Sequence, residues 1–118
     1  MAPEALIIED DTVQREIFAQ AVTRAGYQVT CLSDGAQALE YLQNHRVDLV
    51  VLDLHLPGLG GEHLARAIRA LPHLAQTRII LATADPRLAE TLQDISDLVL
   101  IKPISYVQLR DLAARLAP

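Results

Sequence analysis

Short apolar runs alternate along this chain with longer stretches in which apolar residues recur every three or four positions. The short runs predict strands and the longer stretches predict helices. A regular alternation of the two predicts an α/β fold, in which a parallel sheet carries helices on both faces. The predicted strands are residues 5–8, 28–32, 48–53, 78–82 and 98–101.

Three of the predicted helices begin at side chains that can accept the free N–H groups of a first turn, namely Asp11, Asp85 and Ser105. The first helix is expected to bury an apolar stripe that includes Val13 and Ile17, and to end at Gly26. The fourth helix is predicted to be short, from about Pro86 to Gln93.

Polar residues stand where the apolar runs end. The first run leads into the acids 9–11, the third ends in Asp53, the fourth in Thr83 and the fifth in Lys102. The carboxyl ends of parallel strands meet at one edge of a sheet, which is where such folds bind ligands. Taken alone, Asp53 is a candidate nucleophile or metal ligand, and it could equally be a residue that caps a turn.

Clustered carboxylates repel one another, and a hard divalent cation with oxygen ligands relieves that repulsion. Mg²⁺ fits best, because it needs one or two protein carboxylates and keeps positions for water and a phosphoryl group. Asp53 would then attack phosphorus and form an acyl phosphate, while Lys102 and the Thr83 hydroxyl contact phosphoryl oxygens.

Together these motifs resemble the receiver (CheY-like) domains of two-component response regulators, over residues 5 to about 116. The resemblance implies a flavodoxin-like (βα)5 fold with a five-stranded parallel sheet of order 2-1-3-4-5. It also implies a phosphoacceptor signalling module that takes its phosphoryl group from a sensor histidine kinase or a histidine phosphotransfer protein. The matching residues are Glu9-Asp10, the phosphoacceptor Asp53, Pro57, Gly61, Thr83-Ala84 and Lys102-Pro103.

The resemblance also implies a metal-ligand set: the carboxylates of Glu9, Asp10 and Asp53 and the backbone carbonyl of His55. Asp11 is expected to cap a helix instead. The side chains of His55 and Asp85 stand at positions that line the entrance for attacking water. They are interpreted either as exposed rim residues or as modulators of the lifetime of the acyl phosphate.

Two departures from the family pattern keep alternatives open. Val99 stands where receivers often carry the aromatic residue that changes rotamer on phosphorylation, and the stretch between Thr83 and Lys102 is short. A pseudo-receiver that binds partners independently of phosphorylation is one alternative. An aspartyl-phosphate hydrolase of the haloacid dehalogenase type is another, although it needs an acid where this chain has His55. No turnover of an external substrate is expected.

Length and composition limit the number of domains and the kinds of function that fit this sequence. With 118 residues, 51% of them hydrophobic, the chain is expected to form a single receiver domain over residues 1–118, either stand-alone or excised from a larger hybrid kinase or regulator. A net charge of −5 without a basic run argues against direct nucleic-acid binding.

No signal peptide or membrane span is evident, so a cytoplasmic location is expected. Cys31 is expected to be a small buried hydrophobe. A monomer or weak dimer is expected, with any output domain or effector outside this chain.

Overall fold

The computed structural model describes all 118 residues, which form five strands, five α-helices and one short 3-10 helix. The strands are β1 (Glu4–Ile8), β2 (Gln28–Leu32), β3 (Leu49–Asp53), β4 (Arg78–Thr83) and β5 (Leu98–Ile101). The helices are α1 (Thr12–Arg24), α2 (Gly35–Asn44), α3 (Gly61–Ala70), α4 (Pro86–Glu90) and α5 (Tyr106–Arg115), and the 3-10 turn is Pro72–Leu74.

The strands form one parallel sheet in the order β2-β1-β3-β4-β5, which confirms the predicted fold class and order. β1 and β3 are neighbours although two helices and a strand separate them in the chain. At the carboxyl edge, Asp53 pairs with Ala82 and Thr83 pairs with Ile101, so the ends of three strands lie side by side. This edge receives the polar residues that follow the apolar runs.

Two apolar cores lie on opposite faces of the sheet, and β3 contributes to both. Val50 and Leu52 pack with α2 and α3, whereas Leu49 and Val51 pack with α1 and α5. Every residue of β3 is buried, as expected of a central strand covered on both faces. The position of Asp53 is therefore fixed by packing above and below the strand that carries it.

Two predictions about burial are wrong. Val13 and Ile17 on α1 are 65% and 39% exposed. The buried residues of this helix are Phe18, Ala21 and Val22, which form a narrower face. Cys31 is also exposed, since it lies on β2, an edge strand with a neighbour on one side only. The apolar stripe read from the sequence is thus wider than the face that α1 buries.

The predicted helix caps at Asp11, Asp85 and Ser105 are confirmed by hydrogen bonds from backbone N–H groups to their side chains. α4 is shorter than predicted and ends at Glu90 rather than Gln93. Beyond it the chain turns through i→i−3 bonds, such as the one from the Leu92 N–H to the Ala89 carbonyl. No helix is both long and apolar enough to cross a membrane.

At the amino edge of the sheet, Arg69 of α3 joins the turn after α3 to the loop before β5. Its guanidinium donates to the carbonyls of Thr77 and Ile95, both at 2.9 Å, and to that of Leu74 at 3.4 Å. The same group lies 3.7 Å from the Asp97 carboxylate. This polar network lies at the edge of the sheet opposite to Asp53 and ties α3 to the segment that leads into β5.

Candidate functional site

Three acids converge at the carboxyl edge of the sheet. Glu9 and Asp10 follow β1, and Asp53 ends β3, the neighbouring strand. One ligand oxygen from each lies within 4.8 Å of the others. The carboxylates of Glu9 and Asp53 are buried, with side chains 1% and 2% exposed, while Asp10 faces solvent. An all-oxygen donor set of this size fits a hard divalent cation, so the cluster could hold a metal ion.

Lys102 supplies the positive charge of the site. It follows β5, and its backbone N–H donates to the Thr83 carbonyl at 2.8 Å, which continues the sheet pairing. Its Nζ lies 3.2 Å from Glu9 Oε1 and 3.3 Å from Asp53 Oδ1. With a side chain only 17% exposed, Lys102 is a partly buried bridge between two buried carboxylates.

The acids and the lysine shift one another's ionisation. Burial, together with a hydrogen bond and repulsion from Asp53, raises the pKa of Glu9 to about 7. Burial disfavours the charged form of Lys102, but the negative charges of Asp53 and Glu9 outweigh it and raise the pKa of the ammonium group. In the metal-free site the raised pKa therefore favours the protonated form of Glu9 more than in an ordinary carboxyl group, and Lys102 stays charged.

Thr83 lies at the end of β4 and is fully buried. Its Oγ1 accepts the Asp85 N–H at 3.0 Å and donates to the Asp85 carbonyl at 3.2 Å. The Nε2 of His55 is 3.1 Å from the same oxygen, so the imidazole covers the hydroxyl from the solvent side. The structure thus brings His55 and Thr83 into contact, which the sequence did not indicate.

Asp85 itself points into the next turn. Its carboxylate accepts the Arg87 N–H at 3.0 Å, and this bond, with the nearby guanidinium, lowers the pKa of Asp85. Electrostatic attraction to the His55 ring also lowers the pKa of Asp85 slightly, although no hydrogen bond joins the two side chains. Both side chains stand at the rim of the site, with Asp85 partly exposed and His55 exposed.

The loop after β3 holds Asp53 in place. Asp53 Oδ1 accepts the N–H of His55 at 3.0 Å. Gly58 has a φ of +72°, a conformation that favours glycine. A Cβ on Gly61 would lie 2.5 Å from Leu54 Cα and 2.6 Å from the Asp53 carbonyl oxygen, so only glycine fits there. Glycine at position 61 is thus required by packing directly behind Asp53.

Asp11, the third of the three consecutive acids after β1, caps a helix as predicted. Asp11 caps α1 by accepting the Gln14 N–H at 2.8 Å. The Asp11 N–H in turn donates to Glu9 Oε2 at 3.2 Å. Sequence reasoning missed Arg15, whose Nη1 donates to the carbonyls of Glu9 and Asp10 at 3.1 and 3.3 Å. Its acceptors are backbone carbonyls, which every residue type has, so no sequence pattern indicates this contact.

Comparison with known proteins agrees with this geometry. The family model described as the response regulator receiver domain matches residues 5–114. Transcriptional regulatory protein AfsQ1 of Streptomyces coelicolor is 38% identical over 105 residues, which cover 86% of this chain and 45% of AfsQ1. Two-component response regulator ORR8 of rice (Oryza sativa) is 28% identical and covers 90% of this chain and 91% of its own.

Among solved structures, the receiver domain of sensor histidine kinase PA1611 from Pseudomonas aeruginosa superimposes with a TM-score of 0.86. It is 29% identical and covers 98% of both chains, and it has a magnesium ion coordinated in its active-site cleft.

The chain therefore belongs to the family of response regulator receiver domains, the signalling domains of two-component systems. Neither the hydrolase nor the pseudo-receiver alternative is favoured by these matches. The chain spans less than half of AfsQ1 but nearly all of ORR8.

Proposed function

We propose that this receiver accepts a phosphoryl group on Asp53 and changes its interaction surface in response. One observation carries the proposal: a buried carboxylate at a strand end lies within 4.8 Å of two further acids and 3.3 Å from a lysine ammonium. A carboxylate is already the active nucleophile, so no general base is needed. Protein catalysis of phosphoryl transfer consists mainly of positioning and charge neutralisation, which these groups supply.

In the transfer step, an Asp53 oxygen forms a bond to phosphorus while the P–N bond of a phosphohistidine breaks. The bonding electron pair stays on the donor imidazole, which takes up a proton from solvent. Lys102 offsets negative charge on the phosphoryl oxygens, and the Thr83 hydroxyl donates a hydrogen bond to one of them. A bound Mg²⁺ would neutralise further charge on those oxygens.

The proposed metal ligands are the carboxylates of Glu9, Asp10 and Asp53, with the backbone carbonyl of His55 as a fourth protein ligand. The carboxylates carry three negative charges when ionised and Lys102 one positive charge, so a divalent cation balances the site. The magnesium ion of the PA1611 receiver supports this choice of metal.

His55 and Asp85 are proposed to set the lifetime of the acyl phosphate. His55 lies over the Thr83 hydroxyl at 3.1 Å, where it narrows the approach of water to the site. Substituting His55 by Ala should therefore change the dephosphorylation rate. An unchanged rate in both His55→Ala and Asp85→Ala would exclude this role.

The proposed phosphodonor is a sensor histidine kinase or a histidine phosphotransfer protein, in the cytoplasm. The response regulator relatives support this assignment, and they also support an output domain or effector outside residues 1–118. The chain is proposed to act as a single domain, a monomer or weak dimer, that turns over no external substrate. Val99 is partly buried against the core, so the conformational signal is proposed to pass through Thr83 and its loop instead of an aromatic ring.

Intact mass spectrometry tests the proposal directly. The protein is incubated with a small-molecule phosphodonor and Mg²⁺, beside Asp53→Asn and a chelator control. We expect a gain of one phosphoryl group in the wild type and none in either control. The absence of any gain in folded wild-type protein would overturn the proposal and favour a phosphorylation-independent binding module.

A further inference from the structure

Arg15 lies one turn into α1 and reaches back over the loop between β1 and α1. Its Nη1 donates to the Glu9 carbonyl at 3.1 Å and to the Asp10 carbonyl at 3.3 Å. The side chain is half-buried and makes no ion pair, although three acids precede it by four to six residues. The guanidinium is thus engaged with the backbone of the acid pair and not with its carboxylates.

Those two carbonyls have no backbone donor. The segment leaves the sheet at Ile8, and its last sheet-like bond runs from the Glu9 N–H to the Leu32 carbonyl at 3.1 Å. Helical bonding starts only with the Arg15 N–H, which donates to the Asp11 carbonyl at 2.8 Å. Between these two points the Asp11 N–H donates to Glu9 Oε2 at 3.2 Å, and Arg15 is the group that bonds the Glu9 and Asp10 carbonyls.

We propose that Arg15 is a positioning residue for the metal site, because it holds the backbone from which the Glu9 and Asp10 carboxylates project. This inference rests on the proposed function of those carboxylates as Mg²⁺ ligands. Partners that orient metal ligands commonly change metal affinity about 10- to 100-fold when they are removed. Arg15 acts on the backbone of the ligands and not on the ligating atoms, so a smaller effect of about 3- to 10-fold is expected.

Charge and positioning make opposite predictions for this residue. A guanidinium close to a cation site repels the cation, so removing its charge alone should strengthen Mg²⁺ binding. Removing the hydrogen bonds that order the ligands should weaken Mg²⁺ binding. Arg15→Met removes both, and the sign of the change in affinity identifies the larger effect.

Isothermal titration with MgCl2 measures this sign in wild type, Arg15→Met, Arg15→Lys and Arg24→Met. Arg24 is the matched control, because it lies on the same helix, is exposed and makes no side-chain hydrogen bond or ion pair. We expect the dissociation constant to rise about 3- to 10-fold in Arg15→Met and less in Arg15→Lys, which keeps one donor group. Arg24→Met should bind Mg²⁺ as the wild type does.

A second readout separates positioning from a general loss of structure. NMR relaxation of the Glu9 and Asp10 amides in metal-free protein should show increased motion in Arg15→Met, while amides of the buried strand β3 are unchanged. Unchanged or tighter Mg²⁺ binding by Arg15→Met, or equal mobility of the two amides, overturns the proposal. A wild type that binds no Mg²⁺ would instead refute the proposed metal site itself.

Discussion

The raised pKa of Glu9 makes the stability of the metal-free protein depend on pH. Burial and the neighbouring Asp53 raise this pKa from 4.5 to about 7 in the folded state. The folded state therefore binds the proton more tightly than the unfolded chain does. Its contribution to stability is fully present below about pH 4.5 and is lost as pH rises through about 7.

The size of this effect follows from the two pKa values, which differ by about 2.5. Each pKa unit corresponds to about 1.4 kcal/mol, so the full change is about 3 kcal/mol. About 2 to 3 kcal/mol of this change falls between pH 5 and pH 8. This is a substantial part of the stability of a small domain.

Glu9→Gln is the variant that isolates the effect, because glutamine resembles the protonated acid. Its amide can donate to the neighbouring Asp53 carboxylate, and its oxygen can still accept from the Asp11 N–H. Urea unfolding with a chelator present should show wild type losing about 2 to 3 kcal/mol relative to Glu9→Gln between pH 5 and pH 8. The other titrating groups are common to both proteins and cancel in the difference.

Mg²⁺ should restore most of the lost stability at pH 8 in the wild type and much less in Glu9→Gln, since the cation binds the ionised site. Glu16→Gln, an exposed acid on α1, serves as the control and should parallel the wild type. Unfolding free energies of wild type and Glu9→Gln that run parallel from pH 5 to pH 8 would refute the argument that burial protonates Glu9.

Three further substitutions test packing around the site and away from it. Gly61→Ala should destabilise the fold by about 1–3 kcal/mol and slow phosphorylation, because its Cβ would meet Leu54 Cα at 2.5 Å; wild-type rates and melting would contradict this. Tyr27→Phe should lower stability by about 1–2 kcal/mol, because the buried hydroxyl donates to the Ala113 carbonyl at 2.8 Å, and an unchanged urea midpoint would refute it. Arg69→Met should lower the free energy of unfolding by about 3 kcal/mol without changing the affinity for Mg²⁺, because the carbonyls that its guanidinium bonds lie at the edge of the sheet opposite to Asp53. A loss of Mg²⁺ binding would contradict that separation.

The sequence predicted the elements whose signals are local. Apolar runs defined the strands, and side chains such as Asp11 and Ser105 located the starts of helices, because a cap bonds to its own next turn. The sheet order came from the resemblance to a family, and the shared edge came from the rule for parallel strands. The three acids and Lys102 were therefore predicted as neighbours, and the structure places them so.

Features that depend on tertiary contacts were not predictable. The exposure of Val13 depends on how α1 is rotated against the sheet and α5, which a helical period alone does not fix. Arg15 and Arg69 bond mainly to backbone carbonyls, and every residue type offers such an acceptor. The contact between His55 and Thr83 joins residues 28 positions apart on adjacent strand ends and requires the side-chain rotamers to be known.

The resting contacts of Thr83 make activation an exchange reaction. Its hydroxyl has a single proton, and the Asp85 carbonyl at 3.2 Å and His55 Nε2 at 3.1 Å both lie within reach of it, while the oxygen accepts the Asp85 N–H. A phosphoryl oxygen can receive that proton only if the hydrogen bond the hydroxyl donates at rest is broken. The equilibrium between the two signalling states then depends on the difference between two sets of hydrogen bonds, each of modest net strength. Residues that stabilise either set can shift the threshold for signalling without touching Asp53.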